Sequence, residues 1–279
     1  MKVDVVMWAK NGAKYLPNVL SRIDEVIPKE ELHRKILVDD HSKDRTASIA
    51  RDFGWEVYEN PEGGIPAGAN EALRHVDCDY FISVEQDVLL AKDWWEKVPP
   101  LLQDDRTVVA SGIRLPSIDS LRKLYEYVFD RYMKNPQKYV RSAFLGVTID
   151  NTIYKTRYMR ESGGFPNLRV SGGVDGALAK RIFESGLEWR VNPEAVSVHL
   201  RSSTWEEIRH WYFYGTCVPY LAGRKGLGRI TLIALFSPIR GAEIAMKKRS
   251  FPIFYIYPGM RWAMLLGALR TCFQRSGKH

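Results

Sequence analysis

Between Val3 and Ser111 the sequence alternates short apolar runs with amphipathic stretches, a rhythm that few folds accommodate. The runs at residues 3–9, 35–39, 55–58, 80–84 and 108–111 have strand length and are mostly apolar, as strands of a covered sheet are. Between them, residues 12 to about 27, 44–53, 67–76 and 93–102 carry apolar side chains at helical spacing, with Asp44 placed as an acidic start signal. This βα alternation predicts an α/β fold: a mostly parallel, Rossmann-like sheet flanked by helices. In such sheets ligands bind beyond the carboxyl ends of the strands.

Three polar groups fall in that place. Lys10 and Asn11 follow the first strand, Asp39 and Asp40 end the second, and Glu85-Gln86-Asp87 follows the strand Tyr80–Val84. Side chains at i and i+2 of a strand point the same way, so Glu85 and Asp87 can share one divalent cation or its hydration shell. Taken alone, acid-x-Asp after a strand is more often a solvated loop or a helix N-cap. Its weight comes from the company it keeps.

The segments in order resemble the family 2 glycosyltransferases, inverting enzymes with the nucleotide-sugar-binding GT-A fold. Val38-Asp39-Asp40-His41-Ser42-Lys43-Asp44-Arg45-Thr46 is similar to that family's Val-Asp-Asp-Gly-Ser-x-Asp-x-Thr signature, with His41 where Gly is usual. Asn60-Pro61-Glu62-Gly63-Gly64 followed by Asn70 resembles the loop and helix reading Asn-x-Gly and then Ala-Arg-Asn, with Ala69 at the Arg position. Glu85-Gln86-Asp87 stands where the Asp-x-Asp motif belongs. Gly163-Gly164-Phe165-Pro166 and Gly173-Val174-Asp175-Gly176-Ala177-Leu178 resemble Gly-Gly-Phe and the later Glu-Asp-x-x-Leu of the acceptor site, with Val174 replacing Glu. His199 matches the His that often closes the metal site. The likeness covers about residues 3–215.

The resemblance implies a role for each position. A hydrated Mg²⁺ or Mn²⁺ held by Asp87, with His199, would neutralise the leaving diphosphate; Glu85 would reach the metal through water or contact the ribose. Asp39 and Asp40 would accept from the base and ribose, and Lys10, Asn11, Asn70 and Gln86 would complete the nucleotide-sugar contacts. Asp175 would be the base that removes the acceptor proton while the anomeric carbon is attacked from the opposite face. It stands equally well as the cap of the helix expected over residues 176–185, and a lone His ending an apolar strand is commonly structural.

Charge separates the chain into two parts. From Arg201 onward there are 13 Lys and Arg against 3 Asp and Glu, while the first 200 residues carry −2 of the net +8. The basic excess is interleaved with apolar runs at 230–236 and 251–257, which favours an anionic membrane surface over nucleic acid. Pro252, Pro258, Arg261 and Arg270 interrupt the run at 251–273, so two or three amphipathic helices lying in the interface are expected rather than a spanning one. A hydrophobic homodimer interface is the alternative. A GT-A catalytic domain over 1–222 follows, its nucleotide-sugar half at about 1–115 and its acceptor half at 116–222, then a membrane-associating appendage at 223–279. Aromatics at helical spacing in 119–134 suit either core packing or an acceptor groove; Trp205 to Tyr220 reads as an amphipathic helix.

Cys78, Cys217 and Cys272 show neither disulfide nor zinc spacing. The N-terminus opens on a strand pattern rather than a signal peptide, so the catalytic part is expected on the cytosolic side. No Walker-type loop, Gly-x-Gly-x-x-Gly or Cys-His pattern appears, which argues against an NTPase, a dehydrogenase or a thiol enzyme. The expected activity is metal-dependent transfer of a sugar from a nucleotide diphosphate to a hydroxyl on a lipid-linked or envelope glycan, by a peripheral protein of the inner membrane face. The competing readings are a soluble transferase with a protein or metabolite acceptor and a non-catalytic nucleotide-sugar-binding scaffold.

Overall fold

Strand β1 (Val3–Ala9) is buried at every residue and anchors an eight-stranded sheet in the computed structural model, which describes residues 1–143, 147–167, 173–201, 203–221 and 223–276. After β1 come α1 (Leu16–Val26), β2 (Leu32–Asp39), α2 (Thr46–Asp52), β3 (Glu56–Glu59), α3 (Ile65–Arg74), β4 (Tyr80–Val84), β5 (Val88–Leu89) and α4 (Trp94–Lys97). A 3₁₀ turn (Pro99–Gln103) leads to β6 (Thr107–Pro116), then α5 (Asp119–Val128), α6 (Asp130–Lys134), α7 (Pro136–Ala143), β7 (Asn151–Lys155), α8 (Thr156–Glu161), α9 (Val174–Glu184) and β8 (Glu188–His199). Helices α10 (Thr204–Leu221), α11 (Gly223–Lys247) and α12 (Ile253–Ser276) complete the chain. The strand order is β3-β2-β1-β4-β7-β6-β8-β5.

The first four strands pair in parallel, as the βα rhythm requires, and β7 then enters antiparallel between β4 and β6. Strands β1 and β4 fall on the residues expected from their apolar runs. Other boundaries differ for local reasons. The helix expected at 93–102 breaks into α4 and a 3₁₀ turn at Pro99-Pro100, which lack the N–H groups a helix interior uses. Strand β6 continues past Ser111 to Pro116, which carries Arg114 to the end of the sheet.

The chain divides into two compact units. The first comprises Met1–Leu115, Arg131–Asn167 and Val174–Leu200. Its core joins Val5, Met7, Leu20, Ile23, Leu37, Ile82, Trp94 and Ile153, all fully buried. Asp4, also fully buried, is satisfied locally: its carboxylate accepts from the Asp77 and Cys78 N–H groups at 2.6 and 3.0 Å and meets His33 Nδ1 at 2.9 Å. Burying a carboxylate is tolerable only with such partners.

The second unit holds Pro116–Asp130 and the chain from Arg201 onward. Leu121 and Leu124 of α5 pack with Ile244, Ile253, Ile256 and Met260, so the aromatic-rich stretch near 119–128 contributes to a core. Buried Glu207 accepts from Tyr125 Oη, from Trp211 Nε1 at 3.0 Å and from Arg201 Nε at 3.1 Å. Helices α10 and α12 cross backbone to backbone at Gly215 and Gly267. A Cβ on Gly267 would lie 2.0 Å from the Tyr212 carbonyl oxygen, and one on Gly215 2.0 Å from that of Met264.

Helix α11 is apolar on two sides. Ile230, Ala234, Ser237 and Ile244 are buried, whereas Leu232, Leu235, Phe236 and Ile239 lie 37–72% clear on another face together with Ile233, and Phe251, Phe254, Tyr255, Trp262, Leu266 and Phe273 are exposed beyond it. Among the described residues no helix is long and apolar enough to cross a membrane.

The glycine crossing yields a direct check. Gly267→Ala forces α10 and α12 apart, because the obstacle is a backbone carbonyl that cannot rotate away, and overpacking of this kind costs about 1–3 kcal/mol or more. A lower Tm and faster proteolysis of the second unit are expected; an unchanged Tm would show that the helices do not meet there.

Candidate active site

The parallel half of the sheet positions the first group of polar residues. Asp40, just past β2, accepts from Lys10 Nζ at 3.0 Å, Asn60 Nδ2 at 3.1 Å and the Gly64 N–H at 3.0 Å. Asp39 accepts from the Ser42 N–H at 3.1 Å through Oδ2, while its Oδ1 is buried with no hydrogen-bond partner among the described residues. His41, at the position where the signature has Gly, takes φ +58°, the left-handed conformation that Gly adopts without cost. The turn geometry of the signature therefore survives the substitution.

Several residues expected to touch a nucleotide sugar also hold the chain together. Asn11 Oδ1 accepts from the Lys43 N–H at 2.8 Å. Gln86 holds the Lys10 backbone, accepting from its N–H at 2.8 Å and donating to its carbonyl at 3.1 Å. Asn70 clamps the Gly-Gly-Phe turn through both the N–H and the carbonyl of Phe165, at 2.8 and 2.9 Å. These side chains shape the loops at this end of the sheet.

The second group is acidic. Glu85, Asp87 and His199 each present a ligand atom, all within 4.8 Å of one another, from the loop after β4 and the end of β8. The short pairing of β5 with β8, Val88 opposite His199, brings them together. His199 Nε2 lies 3.1 Å from Asp87 Oδ2, and its Nδ1 faces the Arg114 guanidinium. Arg114 Nε in turn meets Asp150 Oδ2 at 2.7 Å. Arg114 Nη1 also lies 3.1 Å from His199 Nε2, so the guanidinium borders both ring nitrogens while Asp87 meets Nε2.

Asp175 lies in the first turn of α9, inside the helix rather than at its cap. Burial pushes its carboxyl up to about 7, reinforced by the charge of Asp150 and opposed by Arg114. Burial likewise raises Glu85 well above the usual carboxylate range, with Asp150, Asp87 and Asp175 adding to it and Arg114 opposing. Four carboxylates thus converge around one guanidinium. Arg114 and Asp150 had no signal in the sequence beyond being charged residues beside apolar runs.

Residues 4–162 match the family described as Glycosyl transferase family 2, more than half of the chain. The chain belongs to glycosyltransferase family 2. An uncharacterized glycosyltransferase of Bacillus subtilis (strain 168), YfnE, is 27% identical over 139 residues; the match covers 47% of this chain and 33% of that relative, about a third of its length. A mannosyltransferase of Pyrobaculum calidifontis, PcManGT, solved with GDP-Man and Mn²⁺, is similar in structure with a TM-score of 0.63 at 18% identity, covering 98% of this chain and 88% of that one. S. aureus TarS 1-349 with UDP-GlcNAc gives 0.55 at 12% identity, covering 99% and 92%. At these identities the likeness shows the fold, and the fold of this family 2 member is GT-A.

The donor set suits a hard divalent cation: two carboxylates one residue apart with an imidazole beside them. A second trio, Asp4, His33 and Cys78, is close enough to ligate, but its carboxylate is already engaged by two backbone N–H groups.

Raised carboxyl pKa values fix the sign of a pH effect. Their contribution to stability is complete below the ordinary carboxylate range and is lost as pH climbs through the folded value, about 7 for Asp175. Metal-free protein is therefore expected to lose Tm between roughly pH 5 and pH 8, whereas the Tm increment from added Mn²⁺ grows over the same window as the ligands ionise. Scanning fluorimetry checks both. An increment that persists in Asp87→Ala would place the metal elsewhere.

Proposed function

We propose that this chain is an inverting glycosyltransferase that moves a sugar from a nucleotide-diphosphate donor to a hydroxyl, using Mg²⁺ or Mn²⁺. The observation that carries the reading is the convergence of Glu85, Asp87 and His199 beside a carboxyl, Asp175, whose pKa is raised to about 7. A bound cation supplies positive charge for the departing diphosphate. Asp87 and Glu85 would hold it, with His199 beside Asp87 orienting that carboxylate or joining the ligands. Asp39, with a buried Oδ1 that has no partner among the described residues, suits the N–H edge of uracil or guanine.

Asp175 is the base in this scheme. Its raised pKa makes the ionised form basic enough to take a proton from the acceptor hydroxyl near neutral pH, as the hydroxyl oxygen attacks the anomeric carbon opposite the leaving group. The bond to the acceptor oxygen forms as the bond to the diphosphate oxygen breaks, and configuration inverts. The donors bound by PcManGT and TarS, GDP-Man and UDP-GlcNAc, are the first to try here. Asp175→Asn is expected to lower kcat for donor turnover by about 10²–10⁴-fold with donor affinity kept. Tight, metal-dependent binding with no turnover by the wild type, with or without membranes, would favour a scaffold instead.

The proposed acceptor is a lipid-linked or envelope glycan at the cytosolic membrane face. In its support, the second unit exposes Leu232, Leu235, Phe236 and Ile239 along α11, and Arg240, Lys247 and Lys248 gather 5.3–6.0 Å from the ring of Tyr127. Apolar ridges edged by cations suit an anionic interface, and each Lys or Arg near such a surface adds about 1 kcal/mol. Flotation with phosphatidylglycerol vesicles is expected for the wild type and should be lost when Phe236, Ile239 and Phe251 become Ser. A protein that stays at the bottom of the gradient, and whose self-association in light scattering is broken by the same changes, would identify the ridge as a homodimer interface with a soluble acceptor.

A further inference from the structure

Neither Arg114 nor Asp150 stands in the motifs considered above, yet three strands meet around them. Arg114 lies on β6, between β7 and β8 in the order of the sheet; Asp150 immediately precedes β7 and His199 ends β8. The guanidinium spans the gap. Its Nε donates to Asp150 Oδ2 at 2.7 Å, and its Nη1 borders both ring nitrogens of His199, 3.1 Å from Nε2. His199 Nε2 in turn meets Asp87 Oδ2 at 3.1 Å. Asp150, Arg114, His199 and Asp87 therefore touch in succession, from a buried strand start to the acidic trio.

The Asp150 end of this row is fixed. Asp150 is 1% exposed and Arg114 16%, and separating a buried ion pair is strongly unfavourable. The Asp150 carbonyl also accepts from the Glu85 N–H at 3.3 Å, so the anchor is continuous with the loop that carries the acids. Beside it, β6 and β8 approach so closely that a Cβ on Gly112 would fall 2.5 Å from the Ala195 carbonyl oxygen. The imidazole is the adjustable member, because a His ring rotates about χ2 and the groups bordering it decide which edge faces a ligand. A positive charge alone does not settle that choice. A Lys ammonium is a compact point that meets Asp150 or His199, whereas the planar fork of Arg presents separate N–H groups to both.

We propose that Arg114 is a positioning residue for the metal site: anchored on Asp150, it fixes the His199 imidazole against Asp87 and so sets the affinity of the site for a divalent cation. The proposal rests on the transferase reading and adds to it the residue that aligns the ligands.

The test titrates Mn²⁺, alone and with GDP or UDP, into the full chain and follows binding by calorimetry. The wild type is expected to bind and Asp87→Ala to lose binding. A wild type that takes up no Mn²⁺ under any of these conditions sinks the metal-dependent transferase reading and the inference with it, an outcome visible before any Arg114 variant is made. Once binding is measured, Arg114→Lys, which keeps the charge, is expected to weaken it about 10–100-fold, and His199→Ala by a similar factor. The double variant is expected to bind no more weakly than His199→Ala alone, because Arg114 then has no ring left to hold. Wild-type affinity in either single variant overturns the proposal. Two losses that multiply in the double variant also overturn it, since they are the signature of a charge acting independently of the ring. If the Tm shows Arg114→Lys unfolded, Arg114→Met combined with Asp150→Leu removes both charges of the pair, and the same cycle with His199→Ala decides.

Discussion

Four carboxylates crowd one arginine at the carboxyl edge of this sheet, and that electrostatic imbalance organises the site. Glu85, Asp87, Asp150 and Asp175 bring up to four negative charges against the single guanidinium of Arg114, itself only 16% exposed. Burial raises Glu85 and Asp175, and the neighbouring carboxylates add to that rise while Arg114 opposes it. In the proposed reaction a divalent cation would offset more of that charge and displace the protons of Glu85 and Asp175. The same cluster would then serve two ends: holding a metal that accompanies a diphosphate, and presenting a carboxyl basic enough to accept a proton near neutrality.

The surrounding loops show how such a site is kept in register. Gln86 and Asn11 join the loops after β1, β2 and β4 through backbone hydrogen bonds, and Asn70 locks the Gly-Gly-Phe turn to α3. These amides brace the loops on either side of Asp39 and the loop that carries Glu85 and Asp87, which the β5–β8 pairing brings to His199.

Much of this was legible in the residues themselves. Strands β1 and β4 announce themselves as mostly apolar runs, and the carboxylates after β4 share a cluster through the turn that Val88 N–H closes on the Glu85 carbonyl at 3.1 Å and the pairing of β5 with β8. Asp175 and His199 were reachable only through the family's motif order, since nothing local joins a helix start to a strand end. Arg114 and Asp150 were not legible at all. Arg114 depends on β6 running several residues beyond its evident apolar stretch, and Asp150 on an antiparallel insertion of β7 that no periodicity signals. Asn11, Asn70 and Gln86 carry structural hydrogen bonds that the motif alone does not show.

The central claim is that Glu85 and Asp87 together hold the cation that accompanies the donor's diphosphate. A crystal of the protein grown with Mn²⁺ and GDP or UDP, measured at the manganese absorption edge, tests it most directly. The account expects an anomalous peak bridging Asp87 and the diphosphate, with Glu85 in its first or water-mediated shell. A bound nucleotide whose phosphates lie away from Asp87, or a manganese peak at Asp4 and His33 instead, would contradict it.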